Sequence, residues 1–499
     1  MELHYTFFVM FLAVIDLVKS AEDCPAKCTC HWDDGKVECS NLNISSLPVG
    51  YKNASLVTQL MLGNNLLTTI DKNVLKTLEN LMFLDISNNN ITELQSETFA
   101  NMPHISEIVL RGNSITNINT HAFLNLPNLR NLELSKNRIS NLQENSFINL
   151  TSLKMINFEN NKLTELKSSP FLNVPLLSVL FLGENNMSSF PVGICQSVPS
   201  LQSLYLDNNN IKSIGEFALD GCSKIAKLRL INNSLQTVNK NAFSCRRQSE
   251  NKNDFCLEKL TTLFLNENNL TKPPSAFGAK SYVRELDLSK NPLKSASIND
   301  FTGLPYLNTL VMSYVPTSFT IGDSAFSKLE SLTKLTLTNN RGLKNMSKTA
   351  FKGLQNLKYI FLENNSLETL SFDLLNWQNL VRFDARNNKL RCDCAVKWIQ
   401  DKKMTLNSQV SSALTSLKCT EPKTLKGKLV VNVNPSYFGC PIDDEVSSRV
   451  KTGLVVAAIV CSLSIVCLLF IKYRRMIFMK LRMYSYRRHR GRCSFYCRQ

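Results

Sequence analysis

Over most of the chain the apolar positions follow one pattern, L-x-x-L-x-L-x-x-N-x-L-x-x-L. It reads LENLMFLDISNNNITEL at 78–94, LRNLELSKNRISNL at 129–142 and LQSLYLDNNNIKSI at 201–214. The L-x-L core alternates with the period of a strand. The Asn recurs at Asn65, Asn89, Asn113, Asn137, Asn161, Asn185, Asn209 and Asn233, always 24 residues apart. After a longer gap come Asn268, Asn291, Asn340, Asn365 and Asn388, with Val315 occupying one slot between Asn291 and Asn340. That makes about fourteen repeats. One such unit cannot bury its own apolar face, so neighbouring units must stack and share a core. The Asn amide carries donors and an acceptor that can satisfy backbone groups of adjacent turns. A Phe ten residues further on (Phe99, Phe123, Phe147, Phe171, Phe243, Phe301) predicts a second spine on the opposite side.

This pattern resembles leucine-rich repeats over nearly all of 24–440, and eight repeats in one register make the resemblance specific. The resemblance implies an α/β solenoid, a leucine-rich repeat horseshoe with a parallel sheet on its concave side and cysteine-rich caps. It also implies a binding surface in place of a compact catalytic domain.

The ends of a stack expose core and need covers. Before the first repeat stand Cys24, Cys28, Cys30 and Cys39, and after the last stand Cys392, Cys394, Cys419 and Cys440. These sets look like the cysteine-rich flanks of extracellular leucine-rich repeat proteins. The likeness implies Cys24–Cys30, Cys28–Cys39, Cys392–Cys419 and Cys394–Cys440, although spacing alone allows three pairings in each set. Cys245 and Cys256 bracket a polar insertion, and a disulfide there would pin it. Cys195 and Cys222 lie 27 residues apart at similar phases of adjacent repeats, and either bridge them or remain buried thiols.

Two further apolar runs predict topology. Residues 5–15, YTFFVMFLAVI, have signal-peptide length, with cleavage expected after Ser20, although no Lys or Arg precedes them. Residues 452–471 carry no charge over twenty positions, enough to cross a bilayer core. Lys472, Arg474 and Arg475 follow, while Asp443, Asp444 and Glu445 precede, which places the C-terminal side in the cytoplasm. The net charge of +17 is mostly local, because 472–499 holds ten Lys and Arg and no acid. Nucleic acid is therefore not an expected partner. The predicted organisation is a signal peptide at 1–20, an N-terminal cap at 21–55 and repeats at 56–390 with an insertion near 244–258. A C-terminal cap at 391–441, a juxtamembrane stretch at 442–451, a transmembrane helix at 452–471 and a basic cytoplasmic tail at 472–499 follow. Sixteen cysteines, twelve of them before residue 441, suit an oxidising compartment. On that route the nine N-x-S/T sequons at Asn43, Asn53, Asn90, Asn149, Asn186, Asn232, Asn269, Asn345 and Asn364 are candidate glycosylation sites. Cys493 and Cys497 are candidates for palmitoylation.

No enzyme motif, metal constellation or cofactor cradle stands out, and His104 and His121 read as surface residues of repeat loops. Function is sought instead in the middle residue of each L-x-L, which must face the sheet surface. Four consecutive ones, Phe181, Tyr205, Arg229 and Phe264, predict a stripe of the residue types enriched at binding hot spots. The 245–256 insertion and the Val315 repeat are a second candidate, since loops on a rigid scaffold often carry recognition.

The whole also looks like a Toll-like receptor ectodomain and membrane span, and IKYRRMIFMKLRMYS is similar to that family's juxtamembrane segment. No TIR domain follows, so that family's direct signalling is not carried over. The resemblance implies a single-pass type I receptor or co-receptor at the plasma membrane, its N-terminus extracellular. It would bind protein or microbial ligands in innate-immune recognition, with a signalling co-receptor as a further partner. The alternative is a cell-adhesion or guidance protein with leucine-rich repeats and a short tail.

Overall fold

The computed structural model describes residues 24–166, 170–244, 257–275, 277, 281–402, 405–440 and 444–492. It forms two compact units, 1–435 and 436–499.

The first unit is a parallel-sheet solenoid. Its sheet has sixteen strands in the order of the sequence, with no crossover. The first two, Thr29–His31 and Lys36–Glu38, are an antiparallel hairpin in the N-terminal cap. The other fourteen, from Gln59–Met61 to Arg382–Asp384, are parallel, one per repeat. Each pairs residue for residue with the next, so Leu180, Leu204, Leu228 and Leu263 stand side by side. These four are fully buried, as are the leucines two positions on, such as Leu182 and Leu206. Burying one Leu is worth about 1.5–3 kcal/mol, and every turn contributes several to the one core.

The conserved-phase Asn ties the turns together. Asn137 Nδ2 donates to the Leu110 carbonyl of the preceding turn at 3.0 Å and to its own Leu134 carbonyl at 3.0 Å. Its Oδ1 accepts from the Ile115 amide at 3.1 Å. The same set recurs at Asn89, Asn113 and Asn161. At the Val315 slot no amide is present, yet the Val315 N–H donates to Asn340 Oδ1 at 2.8 Å. Ser289, Ser313 and Thr338 add hydroxyl bonds across the same three turns.

The residue before each ladder Asn lies in the left-handed region, including Asn64, Asn88, Gly112, Asn160, Asn208 and Asn339. Asn and Gly tolerate that backbone best, which explains the repeated Asn-Asn pairs. At Gly112 a side chain would also strike the Asn88 amide oxygen.

On the opposite side the Phe spine is present and longer than expected. Phe99, Phe123, Phe147 and Phe171 stack at 5.3, 5.7 and 5.6 Å between ring centroids. Phe277, Phe326 and Phe351 extend it beyond the insertion. These steps exceed the ~4.8 Å between strands, so over these turns the sheet is the inner, shorter side of a curve. Cys195, one repeat beyond Phe171, sits where the Phe series lapses and bonds to Cys222.

Cys24–Cys30 and Cys28–Cys39 hold the N-terminal hairpin, and Cys392–Cys419 holds the C-terminal cap. Cys394 and Cys440 are also disulfide-bonded. Helix α1 (Ser408–Thr415), capped by the Asn407 side chain, packs against the last strand Arg382–Asp384 and covers that sheet edge. Trp377 meets Phe383 of that strand edge-on at 5.1 Å and Trp398 at 4.6 Å.

The second unit carries helix α2 (Asp444–Arg492). Within it Gly453–Ser485 is long and apolar enough to cross a membrane. The helix runs past both limits of the uncharged 452–471 stretch; on the C-terminal side Lys, Arg, Met and Leu are good helix formers, and no Gly or Pro stands between Gly453 and Gly491.

Asn137→Ala is expected to lower unfolding stability by about 2 kcal/mol, since it leaves the buried Ile115 amide unpaired and takes one of two side-chain donors from each of the Leu110 and Leu134 carbonyls. Asn160→Gly, which keeps the left-handed backbone, is expected to change it by less than about 0.5 kcal/mol. Urea unfolding of the two variants in detergent separates them, and equal losses would contradict the ladder's role.

Candidate functional site

In most strands the central residue is buried and its two neighbours are half-exposed on the sheet face. Both outer positions therefore form columns across the turns. The third-position column contains Phe181, Tyr205, Arg229 and Phe264, paired strand to strand.

These four side chains touch. The Phe181 and Tyr205 rings stack with centroids 4.5 Å apart and planes 18° from parallel. The Arg229 guanidinium carbon lies 5.5 Å from the Tyr205 ring and 5.9 Å from the Phe264 ring. Lys227, in the first-position column, places Nζ 5.4 and 5.9 Å from the same two rings. A stacked pair adds ~0.5–1.5 kcal/mol beyond its burial, and an exposed cation over a ring ~0.5–1 kcal/mol. The side chains are thus ordered before anything binds, which lowers the entropic cost of binding.

The charges around the stripe are placed unevenly. Arg229 Nε is buried and lies 2.8 Å from Asp207 Oδ2, an ion pair without an aligned hydrogen bond. Burial pushes the Asp207 carboxyl up, while the Ile231 amide, 2.9 Å away, and Arg229 pull it back. One turn before Phe181, burial raises the Glu159 carboxyl, and Glu184, Glu133 and Asp207 raise it further against the pull of Arg229. The stripe therefore has an acidic flank before Phe181 and two cations between the Tyr205 and Phe264 rings, with Asp287 next to Phe264 in the following turn. Among the described residues no three His, Cys, Asp or Glu side chains converge as a metal site.

A second cation–ring group lies near the end of the array. Phe361 has Lys334 Nζ 6.0 Å and the Arg382 guanidinium 5.6 Å from its ring. Beyond it, Arg382, Arg386, Ser408, Ser412 and Ser416 border an open depression of about 580 Å³. Asp384 forks onto Arg386 there, with Nη2 2.6 Å from Oδ2.

Lys227 and Asp207 escape a reading confined to the centre of L-x-L. The alternation of the strand exposes the first position, that of Lys227, and the same alternation carried two residues past Tyr205 reaches Asp207, which was the available signal. His104 and His121 are exposed. Seven sequon asparagines are exposed, and Asn53 and Asn364 are half-buried. In the Val315 repeat, Tyr314 is 54% exposed with φ of 56°, a left-handed backbone unusual for a bulky residue. Cys245, Cys256, Cys493 and Cys497 lie outside the described residues.

A family model described as leucine rich repeat matches residues 55–115, 103–163, 156–211, 199–250 and 320–390, more than half of the chain. The NT-3 growth factor receptor of Mus musculus is 32% identical over 114 residues, 23% of this chain. That match spans only 12% of the receptor's length. Among solved structures, a leucine-rich repeat protein of Leptospira interrogans superposes with a TM-score of 0.51 at 22% identity, covering 70% of this chain and 89% of that one. A chain of the octameric complex of Latrophilin 3, Unc5D and FLRT2 gives 0.50 at 22%, covering 84% and 100%. A chain of the Drosophila Toll–Spätzle complex gives 0.53 at 18%, covering 79% and 62%. At these identities the structural likeness speaks for the fold alone.

Glu159 supplies a pH test. Its folded pKa is raised, so the fold binds more protons than the unfolded chain between the ordinary carboxyl value and the raised one, and stability falls as pH rises through that window. Glu159→Gln is expected to raise the thermal midpoint at pH 7 by a small amount, on the order of 1 °C, and to lose that advantage below about pH 4. Melting curves of both proteins across pH 3–8 would show it, and a variant less stable at pH 7 would contradict it.

Proposed function

The chain belongs to the leucine-rich repeat family, and on that footing we propose that it is a cell-surface receptor or co-receptor that takes a protein ligand on its sheet face. The observation that carries this reading is the preassembled stripe, a stacked Phe181–Tyr205 pair continued by Arg229 and Phe264. Rings and Arg in a half-buried row are the residue types that dominate binding energy at protein interfaces. The comparisons support the same direction. One relative is named a growth factor receptor, and two neighbours in fold come from complexes with protein partners.

In this reading residues 1–20 are removed as a signal peptide, the solenoid is extracellular and glycosylated at exposed sequons, and α2 anchors it in the plasma membrane in type I orientation. The basic residues after 471 stay in the cytoplasm. Innate-immune recognition of protein or microbial ligands, with signalling through a partner, is the finer assignment. Adhesion or guidance is the second reading, and its discriminating result is a homophilic or neuronal partner.

The test displays the full chain on cells and screens it against panels of extracellular proteins and microbial surface molecules. For a ligand so found, Phe181→Ala with Tyr205→Ala is expected to weaken binding at least about 30-fold, roughly 2 kcal/mol. Undiminished affinity in a variant that still reaches the surface would overturn the site. A mobility shift on glycosidase digestion, and surface labelling of an N-terminal epitope placed after Ser20, test the topology. An unglycosylated chain in the cytosol would overturn the receptor reading altogether.

A further inference from the structure

The sheet face around the stripe is electrically polar along the array, and this sets what its partner must present. On one side, Glu133, Glu159 and Glu184 have no cation within ion-pairing distance among the described residues. Glu133 accepts instead from the Ser135 amide and Asn157 Nδ2, at 2.9 and 3.0 Å, and Glu184 from Asn160 Nδ2 at 2.8 Å. These neutral donors leave the acidic group without a cation partner; burial raises the Glu159 carboxyl, and the neighbouring Glu184 and Glu133 raise it further. On the other side Arg229 is already neutralised by Asp207. Lys227 is not: its ammonium is held over the Tyr205 and Phe264 rings, with no carboxylate in ion-pairing range among the described residues. Rings hold a cation in place without cancelling its charge.

Resting on the sheet-face reading above, we propose that the partner is a protein segment of fixed charge order: a basic group set over Glu133, Glu159 and Glu184, an apolar or aromatic group on the Phe181–Tyr205 pair, and an acidic group on Lys227. The spacing follows from the fold. Glu159 and Lys227 belong to turns three strands apart, about 14 Å at ~4.8 Å per strand. An extended segment covers that in about four residues at ~3.3 Å each. The order is read along the array, so the segment's chain direction is free. A uniformly acidic segment meets the Glu cluster and a uniformly basic one meets Lys227 and Arg229, and both are disfavoured by like charge.

The experiment selects peptides from a random display library on cells carrying the full chain, keeping clones that lose binding to the Phe181→Ala/Tyr205→Ala variant. These clones are expected to carry a basic and an acidic residue about four positions apart with an aromatic between them. K227E is expected to lower their affinity at least about tenfold, and replacing the clone's acidic residue by Lys is expected to restore most of it. E159K, with the clone's basic residue replaced by Glu, should behave in the same way. Reciprocal rescue separates charge pairing from damage to the fold, because a misfolded face is not rescued by a change in the ligand. Ring-dependent clones that ignore both charge changes would overturn the charge order and leave the docking site standing. A selection that yields no ring-dependent clone would overturn the docking site, and the charge order with it.

Discussion

The hydrogen bonds of one amide per turn govern this molecule. Asn137 is typical of the ladder: it donates to a carbonyl of the preceding turn and to one of its own, and accepts an amide from the turn before it. The groups it satisfies are buried where the chain leaves the sheet and where no strand partner is within reach. An unpaired buried group costs about 1–3 kcal/mol, so a stack of many turns cannot leave them open. The same bonds fix the rise and register from one turn to the next. Where Val315 replaces the Asn, the next Asn and a short run of hydroxyls take over part of the work, and the sheet continues without a break.

Fixed register is what turns a repeated sequence into a surface. Because every strand pairs residue for residue with the next, a given position of the repeat becomes a continuous column. The core positions are committed to Leu. The columns on either side of them are free to vary, and variation there is recognition at no cost to the fold. Phe181 can stack on Tyr205 only because their strands are adjacent and in phase. Arg229 and Lys227 reach the Tyr205 and Phe264 rings for the same reason.

Much of this was legible before any coordinates. The fourteen turns, the Asn ladder and the start of the Phe spine are written in the spacing of Leu, Asn and Phe, and the resemblance to leucine-rich repeats implies the solenoid. Phe277, Phe326 and Phe351 were harder, because in the later repeats the Phe follows its Asn slot by nine or eleven residues in place of ten. The left-handed residue before each ladder Asn was also written in the sequence, as the Asn-Asn pairs, but its meaning needs the backbone angle. The electrostatic order of the face was not legible. It depends on which carboxylates find a cation and which find only an amide, and one-dimensional spacing does not say that Asp207 takes Arg229 and leaves Lys227 over its rings. Cys195 and Cys222 were similarly open, since phase permits a bridge without requiring one.

Amide hydrogen exchange over residues 179–211 in the wild type and in Asn209→Ala probes the ladder where it underlies the stripe. Asn209 Oδ1 accepts from the Met187 amide at 2.9 Å, and its Nδ2 donates to the Leu182 and Leu206 carbonyls at 2.9 and 3.1 Å. Faster exchange at Met187, spreading to the strand amides of Val179–Phe181 and Ser203–Tyr205, is expected if the amide holds these turns in register. Protection unchanged from the wild type across both strands would show that apolar stacking alone sets the register and that the ladder does not.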